Sequence, residues 1–321
     1  MIPIFPKFKP IETADREALE GYFREHPPVV SEFTFTNLFG WQKVHNYQVS
    51  KYKNGFLLLR ESGEKLSFLQ PLVTGDPVGV VQTCFGYLQE KTGLPAIERA
   101  GEDFIAASAW DDSQFVLSED RDNFDYLYDA GELTELAGEK FHDKKNLLNQ
   151  FLKKYQYRYQ NLTPELVPEC LKFKKEWCEE RDCEKIEGLK QEHCAVRQML
   201  KNFHALSSEG GIIRIGEKIV ALTLGERLNN DTMVIHVEKA KNGIIGLYQA
   251  INWEFLKNQA QDFAFVNREQ DLGVEGLRRA KMSYNPVRLI KKYRITPPLP
   301  SSSLPREEEL EWKKRISKIS R

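Results

Sequence analysis

The order of the secondary-structure signals constrains the fold of this chain more than any single motif, because the same order runs through it twice. Each half starts with helical patterns, continues through three strand-like runs that suit an antiparallel meander, and ends with a helix, a strand and a further helix. Asn54-Gly55 joins the first two strand-like runs and is a strong hairpin signal. This order predicts an α+β protein built from two similar domains.

The predicted domain boundary lies at Asn161–Pro164, where a turn-forming run interrupts the chain. We therefore predict an N-terminal domain over residues 1–160, a C-terminal domain over residues 161–296 and a polar, basic tail over residues 297–321. A length of 321 residues suits two domains. The end of the tail, Trp312 to Arg321, repeats apolar residues at helical spacing among basic ones. That pattern suits either peripheral contact with an anionic membrane or RNA, or a solvated C-terminus.

Overall charge and short motifs exclude several classes of protein. The chain has 46 basic and 47 acidic residues and a formal net charge of −1, so binding to nucleic acid through overall charge is not indicated. The basic excess lies after residue 160 and the acidic excess before it, which suits either a cleft for a polyanion or ordinary surface variation. The sequence has no nucleophile elbow, Walker loop or dinucleotide fingerprint.

The cysteines and the apolar runs predict the cellular setting. Five cysteines without a C-x-x-C pair or a zinc-ligand spacing favour reduced thiols and give no reason to expect a metal. The longest purely aliphatic or aromatic run, Phe56–Leu59, is far shorter than a membrane span, and the first residues have no apolar core of signal-peptide length. We therefore expect a soluble, cytoplasmic protein.

The densest polar segment, residues 234–246, is typical of a strand, a glycine-bearing loop and the start of a helix. His236 and Glu238 alternate onto one face of the predicted strand, and Glu226 of the preceding strand can lie beside them across a hairpin. All three are candidate catalytic residues, because a carboxylate or an imidazole can deprotonate or orient an attacking amine. A buried structural salt bridge is the alternative explanation for Glu238 and for Lys239, which faces the other side of the strand.

Two loops that follow predicted strands are candidate ligand sites. Gly243 and Gly246 permit close approach of a ligand to the backbone at a helix start, which suits a pyrophosphate or an oxyanion. The alternative is an ordinary helix start, where the Gly-x-x-Gly pattern is also common. On that helix Tyr248 and Asn252 share a face that can line a cleft. Polar loop residues at the end of a strand are often functional. The second loop supplies the candidates Asn267, Arg268 and Asp271.

A basic segment over residues 140–158 interleaves cations with aromatic rings. This pattern suits contact with phosphates together with stacking on bases. The candidates for contact with tRNA or another anion are Lys140, Lys144, Lys145, Asn146 and Arg158. The segment also leads directly into the predicted connection between the domains.

Three segments carry a resemblance to a known family. They are residues 138–151 (GEKFHDKKNLLNQF), residues 31–41 (SEFTFTNLFGW) and residues 267–281, which contain NREQDLG, GLR and AK. Together they resemble the soluble branch of the phosphatidylglycerol lysyltransferase C-terminal domain family, and the resemblance covers roughly residues 5–295. It implies two GNAT-type (N-acyltransferase) domains in tandem, with the substrate cleft in or between them.

The resemblance also implies the chemistry of the site. Membrane-bound relatives transfer amino acids from aminoacyl-tRNA, and the wider superfamily uses acyl-CoA that is held along the central strand and at the next helix start. On this chain the implied donor site corresponds to Val237–Lys239 and to the loop from Asn242 to Leu247. Coenzyme A is therefore a candidate cofactor.

The leading hypothesis is a cytoplasmic acyl- or aminoacyltransferase that uses acyl-CoA or aminoacyl-tRNA as the donor and an unspecified amine or hydroxyl as the acceptor. In it, Glu238, with His236 or Glu226, deprotonates or orients the nucleophile. Lys239 and Arg268 hold the phosphates of the donor. The alternatives are a catalytically degenerate module that binds tRNA or a phosphorylated metabolite, and a structural partner protein.

Overall fold

The computed structural model describes residues 1–63, 65–92 and 95–298, and the basic segment from Trp312 to Arg321 lies outside the described residues. The helices are α1 Arg16–Glu25, α2 Phe35–His45, α3 Pro77–Thr92, α4 Glu102–Ala106, α5 Ala130–Glu135, α6 His142–Lys154, α7 Val167–Glu180, α8 Glu187–Lys201, α9 Leu247–Gln259 and α10 Glu275–Met282. The strands are β1 Lys9–Pro10, β2 Gln48–Tyr52, β3 Gly55–Ser62, β4 Lys65–Leu69, β5 Ile97–Gly101, β6 Val116–Glu119, β7 Asp125–Asp129, β8 Tyr157–Asn161, β9 Glu209–Ile215, β10 Lys218–Arg227, β11 Thr232–Ala240, β12 Phe265–Asn267, β13 Arg288–Ile290 and β14 Lys292–Thr296. Within the described ranges, every helix is too short or too polar to span a bilayer.

The chain forms two compact units, each assembled from separated segments. The first unit contains Met1, Pro10–Tyr47 and Arg121–Lys291. The second unit contains Ile2–Lys9, Gln48–Asp120 and, within the described residues, the segment from Lys292 to Pro298. The boundary that the sequence predicts at residue 160 therefore falls inside the first unit.

Each unit contains a mixed sheet of seven strands, which confirms the α+β class with two sheet-bearing units. The strand order is β13-β7-β12-β11-β10-β9-β8 in the first unit and β1-β2-β3-β4-β5-β14-β6 in the second. The two predicted meanders form as antiparallel runs, β2-β3-β4 and β9-β10-β11. Each meander is followed by a parallel pair, β4 with β5 and β11 with β12.

Each predicted half supplies strands to the sheet formed mainly by the other half. β7 lies between β12 and β13, and β14 lies between β5 and β6. The exchange pairs residues that are far apart in the sequence. It therefore explains why the compact units are interleaved along the chain instead of consecutive.

The core beneath the site packs α6 and α9 against the sheet of the first unit. Leu148 and Phe151 of α6 and Ile251 and Phe255 of α9 are buried in it. Full burial of such a side chain contributes about 1.5–3 kcal/mol. This apolar layer holds α9, with α6 packed against it, on the part of the sheet that β9, β10 and β11 form.

β11 and β12 diverge near the middle of this sheet. They pair in parallel through three residues each, Thr232–Val234 with Phe265–Asn267. β12 ends there, whereas β11 continues to Ala240. The second half of β11 therefore faces the loop that follows β12, at the carboxyl ends of both strands, where ligands often bind in open sheets.

The pairing of β10 with β11 contains a β-bulge. Leu224 pairs with Val237 and Gly225 pairs with Ile235, so His236 has no partner on β10 in the strand register. His236 is the extra residue of the bulge, a feature that re-aims a side chain and is common beside functional sites. Simple alternation along a strand does not predict where this side chain points.

One pair of cysteines differs from the expectation. Cys178 near the end of α7 and Cys183 form a disulfide, with their Cα atoms 5.2 Å apart. The turn after α7 brings the two residues together, so the expectation of reduced thiols is wrong for this pair. Cys84, Cys170 and Cys194 are free.

Candidate active site

His236 lies between two carboxylates, and we call His236, Glu226 and Glu269 the histidine clamp. His236 Nε2 lies 2.8 Å from Glu226 Oε1, and Nδ1 lies 2.7 Å from Glu269 Oε1. The His236 side chain is 1% exposed. Burial disfavours the charged imidazole, but the hydrogen bonds to Glu226 and Glu269 outweigh this effect and raise the pKa of His236 well above its ordinary value. His236 is therefore an imidazolium at neutral pH.

The start of α2 covers the histidine clamp. Thr34 is the N-cap of α2, and its Oγ1 lies 3.4 Å from the imidazole Nε2. Thr36 donates a hydrogen bond to Glu226 Oε2 at 3.0 Å, and Asn37 Nδ2 donates one to Glu269 Oε1 at 3.0 Å. Both carboxylates thus lie at a helix N-terminus, where the helix dipole favours negative charge.

Glu238 follows His236 on β11 and is held by two hydrogen-bond donors. Arg268 Nη2 lies 3.1 Å from Glu238 Oε2 and 3.2 Å from Oε1, and Asn252 Nδ2 donates to Oε2 at 3.1 Å. Burial opposes the charge on Arg268, but the charge of Glu238 outweighs burial and raises the pKa of the guanidinium. Each carboxylate oxygen has two lone pairs, so Glu238 Oε1 can accept a further hydrogen bond from a ligand.

Two lysines lie beside Arg268, and we call Arg268, Lys144 and Lys281 the cation cluster. Lys281 Nζ donates to the backbone carbonyl of Arg268, and burial lowers the pKa of Lys281 to about 8. Lys144 Nζ and Arg268 Cζ each lie 4.7 Å from the centroid of the Tyr284 ring. Burial and the charge of Arg268 lower the pKa of Lys144. Since the charge of Arg268 acts against the charged form of both lysines, an added anion would stabilise the cluster.

Exposure separates the three candidate catalytic residues. The side chain of Glu238 is 11% exposed, compared with 1% for His236 and 5% for Glu226. His236 already carries its proton, so it can donate hydrogen bonds but cannot take a proton from a nucleophile. Glu238 is therefore the candidate that a substrate can reach, and the histidine clamp is suited to positioning the strand that carries it.

Two predicted ligand residues instead fix the loop after β12. Asn267 is fully buried, and its Nδ2 donates to Asp125 Oδ2 at 3.1 Å. Asp271 accepts hydrogen bonds from Tyr126 Oη at 2.5 Å and from Arg278 Nε at 3.0 Å. Burial opposes the charge on Asp271, but these hydrogen bonds outweigh it and lower the pKa to about 2. Both side chains are thus engaged within the protein.

Lys239 points to the opposite face of β11 from Glu238. Its Nζ lies 2.6 Å from Glu192 Oε1 and 4.5 Å from the centroid of the Trp177 ring. Consecutive residues of a strand face opposite sides of the sheet. Glu238 and Lys239 thus each form a salt bridge on their own side of the strand, Glu238 with Arg268 and Lys239 with Glu192, and Lys239 lies apart from the cation cluster.

The glycine loop after β11 differs from the sequence prediction. α9 begins at Leu247 instead of Gly243. Gly246 has φ +71°, and a Cβ there would overlap the carbonyl oxygen of Leu147 on α6, whereas the space around Gly243 is open. Gly246 is therefore a packing contact between α6 and α9, and Gly243 is accessible to a ligand. Of the other residues in the implied donor site, Val237 and Leu247 are buried, Tyr248 is half-buried and Asn242 is exposed.

We expect the Gly246→Ala substitution to lower the free energy of unfolding by about 3 kcal/mol or more, because it combines backbone strain with a clash in a packed layer. Gly243→Ala is the matched control, since Gly243 also has positive φ, +78°, but open surroundings. Its cost is the strain alone, about 1–2 kcal/mol. Urea unfolding of both variants measures the difference, and equal losses would contradict the packing role of Gly246.

The basic segment divides into one residue at the site and four elsewhere. Lys144 belongs to the cation cluster. The remaining candidates are exposed on the surface of the first unit: Lys140, Lys145, Asn146 and Arg158. Lys140 Nζ lies 2.6 Å from Glu132 Oε1, and Lys145 donates to the carbonyl of Glu135 at 3.4 Å. Their contact with tRNA stays a prediction.

Sequence analysis missed several residues that contact the histidine clamp. Thr34, Thr36 and Asn37 were not candidates, although they lie in the SEFTFTNLFGW segment that carries the family resemblance. Glu269 was not singled out from the polar run after β12, although its neighbours were. The available signal was the presence of polar side chains in the otherwise apolar start of α2, where Thr36 and Asn37 are buried.

The chain is similar to a known protein family and to several proteins of known structure. The family model described as "Phosphatidylglycerol lysyltransferase, C-terminal" matches residues 23–296. The crystal structure of a conserved protein of unknown function from Bacteroides thetaiotaomicron VPI-5482 is 34% identical, with a TM-score of 0.85 over 93% of this chain and 100% of that one. The structure of L-PGS from Bacillus licheniformis is 16% identical and shares the fold, with a TM-score of 0.61 over 94% of this chain and 96% of that one.

A further relative matches part of the chain. An uncharacterized protein of Mycoplasmoides gallisepticum is 25% identical over 182 residues, which are 56% of this chain and 58% of that protein. The chain thus spans somewhat more than half the length of this relative.

Proposed function

The chain belongs to the phosphatidylglycerol lysyltransferase C-terminal family, a family of aminoacyl- and acyltransferases, and on that premise we propose that it transfers an acyl or aminoacyl group from acyl-CoA or aminoacyl-tRNA to an amine or hydroxyl acceptor. One observation carries the proposal. Glu238 is a partly exposed carboxylate that Arg268 and Asn252 hold at the point where β11 leaves β12.

In the proposed reaction Glu238 accepts the proton of the attacking amine or hydroxyl while the new bond to the donor carbonyl carbon forms. The C–S bond of a thioester or the C–O bond of an aminoacyl ester then breaks. The proton passes to the leaving sulfur or oxygen, and Glu238 returns to the carboxylate form. Proton transfer by a positioned side chain contributes about 10²–10⁴-fold to the rate. Arg268 and Asn252 fix the carboxylate in place during both steps.

The charge of the cation cluster supports a donor that brings negative charge close to Glu238. Burial lowers the pKa values of Lys144 and Lys281, and the charge of Arg268 lowers both further. An anion at this position would offset the repulsion among the three cations. For a phosphate-bearing donor, the open backbone at Gly243 gives a second point of approach, whereas Gly246 is covered by α6.

The histidine clamp has a positioning role in this proposal. His236 is the extra residue of the β-bulge and precedes Glu238 on the same strand. Its two charged hydrogen bonds tie β11 to β10 through Glu226 and to the loop after β12 through Glu269. Hydrogen bonds between charged groups are the stronger ones in proteins. The clamp thereby sets the separation between Glu238 and the loop that carries Arg268.

A thermal-shift screen tests the proposed donor. The purified protein is heated with coenzyme A, acetyl-CoA, free amino acids or a bulk pool of aminoacyl-tRNA. A ligand at 100 times its Kd adds about 2.7 kcal/mol to the stability of the folded state, which a melting curve resolves. A shift with acetyl-CoA or aminoacyl-tRNA supports the corresponding donor, and the absence of any shift counts against both.

Salt dependence separates a transferase from a module that only binds tRNA through its surface. A surface that contacts many phosphates loses affinity steeply as salt rises. We expect the cation cluster to contribute few contacts, so the affinity for acyl-CoA should depend weakly on salt, and transfer of label should be detectable with whichever donor is used. Steep salt dependence together with no transfer would favour the degenerate binding module.

A further inference from the structure

A groove of about 890 Å³ lies between α7 and α8, on elements that the proposed transfer does not use. Six of its lining residues are Lys172, Lys174, Cys178, His193, Arg197 and Lys201. Its volume falls in the range of about 300–1,000 Å³ that is common for small-molecule and cofactor sites. The groove therefore has room for a ligand, and its chemistry depends on the charges that line it.

Lys174 forms part of the groove lining and is almost completely buried. The residue is 1% exposed, and its Nζ lies 3.5 Å from His193 Nδ1 and 4.6 Å from the centroid of the Trp177 ring. Within the described residues, no carboxylate forms a salt bridge with this ammonium. An ammonium in such a place is costly unless it is paired, because a buried charge loses its hydration.

The carboxylate whose charge acts on Lys174, that of Glu192, already forms another salt bridge. Glu192 on α8 binds Lys239 Nζ at 2.6 Å, and Lys239 itself lies over the same Trp177 ring as Lys174. Burial and the like charge of Lys239 lower the pKa of Lys174 to about 8, with Glu192 opposing them. Burial and the charge of Lys174 also lower the pKa of His193, which favours the neutral imidazole, so Nδ1 can accept a hydrogen bond from Lys174 but adds no negative charge.

The rim of the groove adds further unpaired positive charge. Lys172, Arg197 and Lys201 are exposed and have no salt-bridge partner among the described residues. Two other lysines of the lining are paired across the helical turns, in the pairs Lys175–Glu179 and Lys185–Asp182. Glu184 is the remaining acidic residue of the lining. Four cations of the groove thus have no salt-bridge partner among the described residues, and Glu184 is the one carboxylate of the lining outside the two lysine pairs.

We propose that the groove between α7 and α8 binds an oligophosphate, with the buried ammonium of Lys174 contacting it at the floor and Lys172, Arg197 and Lys201 contacting it at the rim. A ligand with several charged groups fits this arrangement because the cations are spread from floor to rim, and a single carboxylate would reach only some of them. Arginine and lysine together are suited to phosphate oxygens. The site does not depend on the proposed transfer, since Glu238 and the cation cluster are not part of it.

Isothermal titration with tripolyphosphate and with pyrophosphate tests the site directly. We expect Lys174→Met to weaken binding by roughly tenfold or more, which corresponds to the loss of one hydrogen bond between charged groups. Lys190→Met is the matched control, because Lys190 is an exposed lysine of α8 outside the groove. Equal affinity for the wild type and Lys174→Met would overturn the proposal, as would an equal loss with Lys190→Met.

Four further measurements strengthen the test. Melting curves show whether Lys174→Met remains folded, and removal of an unpaired buried charge should not lower Tm. If that variant fails to fold, Arg197→Gln at the rim takes its place and should still weaken binding. Proton uptake in buffers of different ionisation enthalpy should accompany binding near pH 8, because an anion raises the pKa of Lys174. Citrate that binds as tightly as tripolyphosphate, with the same loss in Lys174→Met, would overturn the phosphate assignment.

Discussion

Substitution of Glu238 by glutamine should reduce the rate of acyl or aminoacyl transfer by about 10²–10⁴-fold, the usual contribution of a positioned acid or base. The amide still accepts hydrogen bonds from Arg268 and Asn252, but it cannot take a proton from the nucleophile. The affinity for the donor should change little, because the cation cluster that we place at the donor stays intact. The loss should therefore appear in kcat and not in the KM for the donor.

Two controls make the Glu238 result interpretable. Glu275→Gln removes an exposed carboxylate, 82% accessible on α10, and should leave transfer unchanged. Glu238→Asp keeps the charge beside Arg268 but withdraws the carboxylate by one methylene group, so it should also lose activity. This variant replaces Glu238→Gln if the glutamine variant does not fold. Wild-type rates in both Glu238 variants would remove this residue from the mechanism.

Substitution of His236 by leucine should lower the free energy of unfolding by about 3–5 kcal/mol, the cost of removing one partner from a buried ion pair. Without the imidazolium, the carboxylates of Glu226 and Glu269 are left close together in a site shielded from water. Addition of Glu226→Gln to this variant should recover part of the stability, because it removes one of the two charges. Urea unfolding measures both effects, and a cost below 1 kcal/mol would contradict the histidine clamp.

The pH dependence of stability provides a second readout for the same substitution. The pKa of His236 is higher in the folded chain than its ordinary value of 6.5, so folding favours the protonated form. The stabilisation is complete below about pH 6.5 and is lost as the pH rises through the folded pKa. We expect the free energy of unfolding of the wild type to decline over that range. The decline should be shallower in His236→Leu, and identical slopes would mean that His236 is neutral in the fold.

The elements of the site that come from local sequence could be predicted. Alternation along a strand and the short hairpin before it brought Glu226, His236 and Glu238 into one hypothesis, and the structure does bring Glu226 to His236. The meander followed by a helix and a strand was also predictable, because hydrophobic periodicity and turn residues are local signals.

The elements that depend on distant contacts could not be predicted in the same way. Thr36 contacts Glu226 across 190 positions of the chain, and Asn37 contacts Glu269 across 232 positions. The pairing of Arg268 with Glu238 and the exchange of β7 and β14 between the sheets are likewise long-range. No periodicity within a segment encodes which distant segment it meets, so the predicted boundary at residue 160 followed the chain order and not the sheet order.

The protonation state of His236 illustrates the same limit. Imidazole and carboxylates in neighbouring positions suggested a general base. The structure places the imidazole between two carboxylates and away from solvent, and this arrangement holds the proton on the ring. The number and burial of the partners decide the role of a histidine, and neither quantity can be read from its position in a strand.

Hydrogen exchange on the donor-bound protein tests the location of the site most directly. Exchange of backbone amides is followed by mass spectrometry with and without the donor that the thermal-shift screen selects. The account predicts slower exchange in the loop from Lys241 to Gly246 and in the loop from Arg268 to Gly273, which flank Glu238 and the cation cluster. Protection confined to residues 140–158, with both loops unchanged, would contradict it and would assign donor binding to the basic segment.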